Sequence, residues 1–524
     1  MKKDVCLIGE MHAPENEPNY TISTRSLGVA IIASCLREKG MSVDIIDPIL
    51  HRYTIDQCYE LIQSNEYKYF GFSVMLNFHY SKALIKKLRQ MGYTQHFTMG
   101  GVFVTTNVSY ILAHNQDMGI DSVILGEGEK TIVELFSCLD NNGDWKSLES
   151  IAYRENGKVI INPRRKRITN LDDIPFPAMD DVSFCIEQHM PISIYSSRGC
   201  PGTCLYCGSN NLLNDKNNNW IYRSADNVIQ ELKILKQQYN VSKISFVDDN
   251  FVGTLDAGVE RALEICERII EEKLDIEFFL ECRPDALNEK LTKALHDAGC
   301  RSIFIGIESA SDDRLKEIGR PTLSAEKNQF AIDLLNANRI EPMIGFMMFT
   351  PDTTMQDIKM NIDFFEKFVK ERFVGNYKTQ GIISLVFSEL LAISGTLTRK
   401  HLEKQDRIIE KNATYLPCDG NVYILLSIIR DHDILPFMLS IENKIRRHWI
   451  NVYLPKHIQK IAQLKYYEKD IVLSSITLFR DIIESIQQGN LSTVTKRIIA
   501  FKRDIIRYSN EAIRNIQQIL EEGV

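Results

Sequence analysis

Residues 196–210 read SSRGCPGTCLYCGSN and set Cys200, Cys204 and Cys207 in one short loop. An apolar run, ISIYSS from Ile192, leads into the loop, and an Asn-rich stretch follows it. Structural zinc and most iron–sulfur clusters take four protein ligands, so the loop is one thiol short. No second Cys-x-x-Cys and no His-x-x-x-His occurs in the chain, which leaves Cys185, His189, Cys282 or Cys300 as a fourth zinc ligand. The alternative is a cubane held by three thiolates, whose remaining iron stays open to a small molecule.

Working outward, the loop ends the first of a series of strand-like runs separated by helical periods. These runs are ISIYSS, KISFVD (Lys243 to Asp248), IEFFLEC (Ile276 to Cys282), RSIFIGIE (Arg301 to Glu308), PMIGFMMF (Pro342 to Phe349) and GIISLVF (Gly381 to Phe387). Between them lie periods such as Leu291, Leu295 and Ala298 ended by Gly299. Six such units suit a partial (β/α)6 barrel, with its chemistry at the carboxyl ends of the strands.

A separate βα series precedes it, from Asp4 to about Leu139, and predicts a parallel sheet with helices on both faces. Such a Rossmann-like sheet binds ligands beyond the carboxyl ends of its strands. Ser73, Met75, Gly100, Gly101 and the GEGE stretch containing Gly126 and Glu127 fall on that edge. ENGK (Glu155 to Lys158) reads as a hairpin turn, and LDDIPFPAMDD as an extended strap. After Gly395 the pattern becomes helical, with Ile498, Phe501, Ile505 and Ile506 on one face. The expected organisation is an α/β protein: 1–140 Rossmann-like domain, 141–190 linker, 191–395 partial barrel, 396–524 helical domain.

Bulk properties agree with a multidomain globular chain. Its 524 residues exceed the roughly 250 to 300 that one core supports, and 44% apolar with 25% charged residues is ordinary globular composition. A net charge of -7 gives no reason to expect a nucleic-acid partner, and PRRKR (Pro163 to Arg167) is too short a basic run to change that. No run reaches the roughly 18 to 20 apolar residues of a membrane span. Without a signal peptide, the twelve cysteines read as reduced thiols of a cytoplasmic protein.

The Cys-x3-Cys-x2-Cys spacing with Tyr206 before the last thiol resembles the radical S-adenosylmethionine (radical SAM) superfamily. FVDDNF, ECRPDAL, GIESASDDRLKEIGRPTL and FTPDTTMQDI, each at the end of a successive strand, resemble segments of those members that carry an N-terminal cobalamin-binding domain. At FTPDTT the family more often has Gly-x-Pro-Gly-Glu-Thr. The resemblance covers roughly residues 1 to 400. It implies that Cys200, Cys204 and Cys207 hold a [4Fe–4S] cluster whose open iron chelates SAM, and that one electron cleaves the sulfonium to a 5'-deoxyadenosyl radical. It further implies Tyr206 against the adenine, Asp248 or Asp249 near the SAM amino group, and Arg283 and Glu308 near its carboxylate or ribose.

The order GFSVM, MGG, GEGE resembles the cobalamin-binding domain of the same enzymes, which implies cobalamin contacts at Ser73, Met75, Gly100, Gly101, Gly126 and Glu127. EMHAPE (Glu10 to Glu15) is only loosely like the Asp-x-His-x-x-Gly signature of an axial histidine, and His12 reads as an ordinary loop residue. The implied activity is cobalamin-dependent methylation of an unactivated carbon or phosphorus of a natural product, lipid or peptide. One SAM would methylate cobalt and a second would generate the radical. Partners would be a small-molecule or peptide substrate and an external electron donor such as flavodoxin or ferredoxin. A non-methylating cyclase, rearrangement enzyme or epimerase of the same architecture stays open, as does a cobalamin or iron–sulfur sensor. No residue is assigned to the chemical step itself.

Overall fold

A computed structural model of the protein describes residues 2–11, 25–75, 77–209, 220–253, 255–372, 385–409, 414–449 and 458–521. Internal contacts divide the chain into two compact units: Met1–Gly202 with Cys207–Ile303, and Thr203–Tyr206 with Phe304–Val524.

The first sheet comprises β1 (Lys2–Ile8), β2 (Val43–Ile46), β3 (Glu66–Ser73), β4 (His96–Gly100), β5 (Ser122–Ile124), β6 (Ile151–Glu155) and β7 (Lys158–Ile161). Their order is β2-β1-β3-β4-β5-β6-β7. β1 to β5 are parallel, as the βα pattern predicts, because each returns through a helix. Two-residue alternation puts Val5, Leu7 and Tyr69 in one core and Cys6, Ile8, Phe70 and Phe72 in the other. Helix Phe78–Gln90 lays Leu84, Ile85 and Leu88 on the second core, all fully buried. Each such side chain contributes roughly 1.5 to 3 kcal/mol.

The segment expected to be a linker does more than connect. Its hairpin turns at Asn156 and Gly157, both at positive φ, and β6 pairs antiparallel with β5. It thereby covers an edge that would otherwise expose unpaired backbone groups.

The second sheet comprises β8 (Ile192–Ile194), β11 (Lys243–Phe246), β12 (Glu277–Cys282), β13 (Cys300–Glu308) and β14 (Glu341–Phe346), in the order β14-β13-β12-β11-β8. Between β8 and β11 an antiparallel pair, β9 (Ser197–Gly199) and β10 (Trp220–Tyr222), frames the cysteine loop. The helix Glu289–Ala298 ends as expected at Gly299, whose φ of 108° and 2.0 Å approach of a would-be Cβ to the Ile276 carbonyl admit only glycine. Of the expected sixth strand, residues 381–384 lie outside the described residues. Leu385–Phe387 form a 3₁₀ turn, and a parallel bridge joins Phe349 to Glu389.

The C-terminal region is helical, ending in Ile458–Gln487 and Val494–Glu521. Ile498, Phe501 and Ile505 are buried, but Ile506 is 44% exposed. One residue past Ile505 turns a side chain about 100° away from the buried face. No described helix is long and apolar enough to cross a membrane.

Candidate active site

Main-chain and amide groups hold each part of the cysteine loop within its own unit. In the first unit, the Cys200 Sγ accepts the Gly202 N–H at 3.4 Å and the Asn250 side-chain amide at 3.8 Å. Asn250 is itself buried, closing a ring with Gly253 while its carbonyl accepts the Trp220 indole N–H at 2.9 Å. In the second unit, the Leu205 N–H donates to the Ile318 carbonyl at 3.0 Å, and the Thr203 hydroxyl to the Gly319 carbonyl at 3.0 Å. All three cysteines are half-buried, and no disulfide joins any of the twelve. Hydrogen bonds onto a ligating sulfur stabilise its anionic form. These bonds reach Cys200 alone, and among the described residues no three His, Cys, Asp or Glu side chains are gathered at one point; Cys200, Cys204 and Cys207 share the loop and would supply three thiolates to a cluster. The other thiols weighed as zinc ligands are core residues: burial pushes Cys185 up to about 11 and raises Cys282 and Cys300 further.

At the strand ends the structure separates residues that the sequence treats alike. Asp248 is enclosed. Its carboxylate accepts the Ser196 N–H at 3.0 Å and the Ser196 hydroxyl at 2.9 Å, together with the Ser197 hydroxyl. Of the two candidates for the SAM amino group, Asp248 is therefore the one already engaged by protein donors. Burial raises its pKa, with the Ser197 and Ser196 bonds and the Arg261 charge opposing. Asp249 is exposed and accepts the Ser209 hydroxyl at 2.9 Å. Next to it Glu281, ending β12, is pushed up to about 7 by burial and by the charges of Asp249 and Asp248.

Arg283 forks onto Asp285 at 2.9 and 2.7 Å. Glu308 ends β13 in the left-handed region at φ 64°, a strained conformation for a residue with a Cβ. It accepts the Arg320 guanidinium at 2.6 Å, and Arg320 also donates to the Gly306 carbonyl at 2.7 Å. A Cβ on Gly306 would stand 2.4 Å from the Glu308 carboxylate, so glycine there makes room for the pair. The Tyr206 hydroxyl bonds Glu308, and its ring packs on the cluster of Leu315, Ile318 and Leu323. In the FTPDTT departure the Thr350 N–H donates to the Thr353 hydroxyl and Asp357 caps Thr354, while Arg407 donates to the Asp352 carboxylate and the Pro351 carbonyl.

In the first unit a cavity of about 610 Å³ opens on the carboxyl edge of the first sheet. Ser73, Gly100, Gly101, Gly126 and Glu127 line it, while Leu7, Ile31, Ile32 and Ile132 make its apolar depth. Across from them Tyr195, Arg198, Gly199, Gly208, Ser209 and Asp249 complete the wall. Gly101 sits at φ 109°, where a Cβ would meet the Val74 carbonyl at 2.4 Å. An apolar cavity of this size with a glycine rim fits a ligand approached by backbone, so cobalamin would bury part of itself there.

Met75 stands outside that wall, 56% exposed. Its N–H and that of Asn77 donate to the buried Glu10 carboxylate, which orders the β3 exit. Glu127 lines the cavity, yet its carboxylate faces Arg198 at 3.3 Å and accepts the Ile168 N–H at 2.8 Å. His12 lies outside the described residues. Sequence reasoning did not single out Arg198, which lines the cavity, or Asn250 and Arg320, which bond Cys200 and Glu308.

Comparison with known proteins agrees with this geometry. The radical SAM superfamily profile matches residues 194–365, and the B12 binding domain profile matches residues 22–136. An uncharacterized methyltransferase of Pyrococcus horikoshii is 31% identical over 65% of this chain and 73% of its own length. The 4'-phospho-dehydrooxetanocin synthase of Priestia megaterium is 26% identical over 67% of this chain, a match spanning about half of that relative. In fold, the chain superposes on the cobalamin-dependent S-adenosylmethionine radical enzyme OxsB with a TM-score of 0.71 at 19% identity, covering 99% of this chain and 84% of that one. The two matched domains carry their cofactors with them: a [4Fe–4S] cluster and SAM for the barrel, cobalamin for the first sheet. The chain belongs to the radical SAM superfamily, among the enzymes that also carry a B12 binding domain.

Proposed function

We propose that the protein transfers a methyl group from SAM, by way of cobalamin, to an unactivated carbon or phosphorus centre of a natural product, lipid or peptide. The observation that carries this reading is the shared cavity: the glycine edge of the first sheet and the residues flanking the cysteine loop form one wall system. A methyl carrier and a radical source need that proximity. When bound, the cluster supplies one electron to the SAM sulfonium and the corrin carries the methyl group.

The chain's residues divide the remaining work. Cys200, Cys204 and Cys207 ligate three irons, and Asn250 orients the first thiolate. Asp249, exposed in the cavity wall, is the carboxylate for the SAM amino group. Arg283 and Glu308 serve its carboxylate and ribose, and Tyr206, held by Glu308, its adenine. Ser73, Gly100, Gly101 and Gly126 receive cobalamin within 1–140, while 191–395 serves SAM. The apolar cavity excludes the water that would quench a radical. A ferredoxin or flavodoxin supplies the electron.

The relatives support methyl transfer by name: besides the Pyrococcus protein, a cytidylyl-2-hydroxyethylphosphonate methyltransferase of Streptomyces wedmorensis is 25% identical over 41% of this chain. They also favour a second reading, since the Priestia relative is a synthase and a Synechocystis relative is an anaerobic magnesium-protoporphyrin IX monomethyl ester cyclase. The test is anaerobic reconstitution with iron, sulfide and cobalamin, then trideuteromethyl-SAM, dithionite and candidate substrates. Methyl transfer predicts 5'-deoxyadenosine, S-adenosylhomocysteine and a product three mass units heavier than its unlabelled counterpart. 5'-Deoxyadenosine with no S-adenosylhomocysteine establishes the non-methylating reading, and neither product would make the protein a sensor.

A further inference from the structure

We propose that Arg198 is a positioning residue that clasps the cavity loop of the first sheet to the strand feeding the cysteine loop. The proposal rests on the cobalamin reading of the cavity.

Arg198 lies on β9, two residues before Cys200. Its guanidinium reaches Glu129, the first residue of the helix Glu129–Asp140, at 2.6 Å and Glu127, on the loop between β5 and that helix, at 3.3 Å, and lies 4.9 Å over the Tyr195 ring. The Arg198 carbonyl accepts the Arg167 guanidinium at 2.9 Å, and Arg167 stands 3.8 Å from Glu127. The second oxygen of Glu127 accepts the Ile168 N–H at 2.8 Å. Three segments distant in sequence therefore meet on one partly buried charge network at the cavity wall: the loop after β5 with the first helical residue Glu129, the connector and β9.

Two arginines and two carboxylates taken out of water are a poor device for stability alone, because apolar packing would hold the wall as well. They are a good device for geometry. A planar fork facing two carboxylates fixes distance and angle in a way a hydrophobic contact does not. One end of this fork is the rim of the cavity assigned to the methyl carrier, and the other is the backbone entering the first cluster thiol. The clasp therefore sets the placement of the carrier against the cluster, a tolerance on which misplacement of about 1 Å acts a hundredfold.

The test uses full-length protein loaded with iron, sulfide and cobalamin. Arg198→Met is expected to bind both cofactors, to change the dipolar broadening between cobalt(II) and the reduced cluster in electron paramagnetic resonance, and to lower methyl product per 5'-deoxyadenosine roughly tenfold. Arg198→Lys, one point charge for two carboxylates, should fall between. The charge swap Arg198→Glu with Glu129→Arg should recover much of the wild-type signature. An Arg198→Met protein with wild-type broadening and product ratio overturns the clasp. Should that variant fail to fold, Glu129→Gln takes its place, and wild-type values in both readouts again overturn the proposal. The resonance measurement needs no substrate, so failure of the methyl-transfer reading, seen in the product assay, is distinct from failure of the clasp.

Discussion

The carboxyl edges of the two parallel sheets are built on opposite principles. The first sheet ends in Ser73, Gly100, Gly101 and Gly126, an edge of backbone and one hydroxyl over an apolar cavity. The barrel strands end in Asp248, Asp249, Glu281, Arg283 and Glu308, every one charged or titratable. An edge of glycines recognises a large ligand by shape and main-chain approach. An edge of carboxylates and arginines suits a charged ligand, and in the proposed function Asp249, Arg283 and Glu308 take the amino and carboxylate ends of SAM. If this division is correct, each edge can be damaged without harming the other.

The largest effect tests that independence from the barrel side. Cys204→Ala removes one of three cluster ligands, so iron and sulfide content and the broad cluster absorbance should fall to background. 5'-Deoxyadenosine formation should vanish, while cobalamin content stays at the wild-type level. A Cys204→Ala protein that still cleaves SAM breaks the assignment.

The reciprocal damage is Gly101→Val. At φ 109°, with a Cβ 2.4 Å from the Val74 carbonyl, the β-branched side chain forces the loop to move. Strain of this kind costs on the order of 1 to 3 kcal/mol. Cobalamin content should drop severalfold while the cluster still forms and cleaves SAM. Loss of both cofactors together would show that the edges are not independent.

A third variant sharpens the charged side. Glu308→Gln leaves Arg320, almost wholly buried, without its carboxylate. Breaking a buried pair from one side typically costs about 3 to 5 kcal/mol. The thermal midpoint should fall and the KM for SAM should rise. An unchanged KM with a lowered midpoint would make the pair structural only.

The two edges were also unequally legible in the sequence. The glycine edge follows from strand periodicity, since βα alternation fixes which residues end each strand, and Ser73, Gly100, Gly101 and Gly126 all reach the cavity. The cysteine loop was legible for a different reason, the close spacing of Cys200, Cys204 and Cys207. Adjacent carboxylates were not separable: Asp248 and Asp249 follow the end of β11 in an irregular turn, in which Asp248 meets Ser196 and Ser197 and Asp249 meets Ser209. The turn's long-range partners in Ser196, Ser197 and Ser209 decide between them. Glu127 was read as a ligand contact because its partners, Arg198 and the Ile168 N–H, lie 71 and 41 positions away in sequence. The hairpin joining the first sheet was visible as a turn but not as a sheet extension, because strand pairing is a long-range choice.

The smallest expected effect lies in the acid pair beside the cavity. Glu281 is raised from 4.5 to about 7, first by burial and then by the charges of Asp249 and Asp248. A carboxyl with a raised folded pKa binds its proton more tightly in the native protein than in the unfolded chain. Its favourable contribution is therefore complete below pH 4.5, declines as pH rises towards 7, and is absent above it, a total on the order of 3 kcal/mol at most. Glu281→Gln keeps the shape without the titration, so the variant's stability between pH 5 and 8 should fall less than that of the wild type, measured by denaturant unfolding at each pH. Asp249→Asn should lower the Glu281 pKa and shift the wild-type decline to lower pH. Parallel pH profiles for wild type and Glu281→Gln would show that the charged edge is more open to water than its geometry indicates. The contrast between an edge built on shape and one built on charge would then lose its electrostatic half.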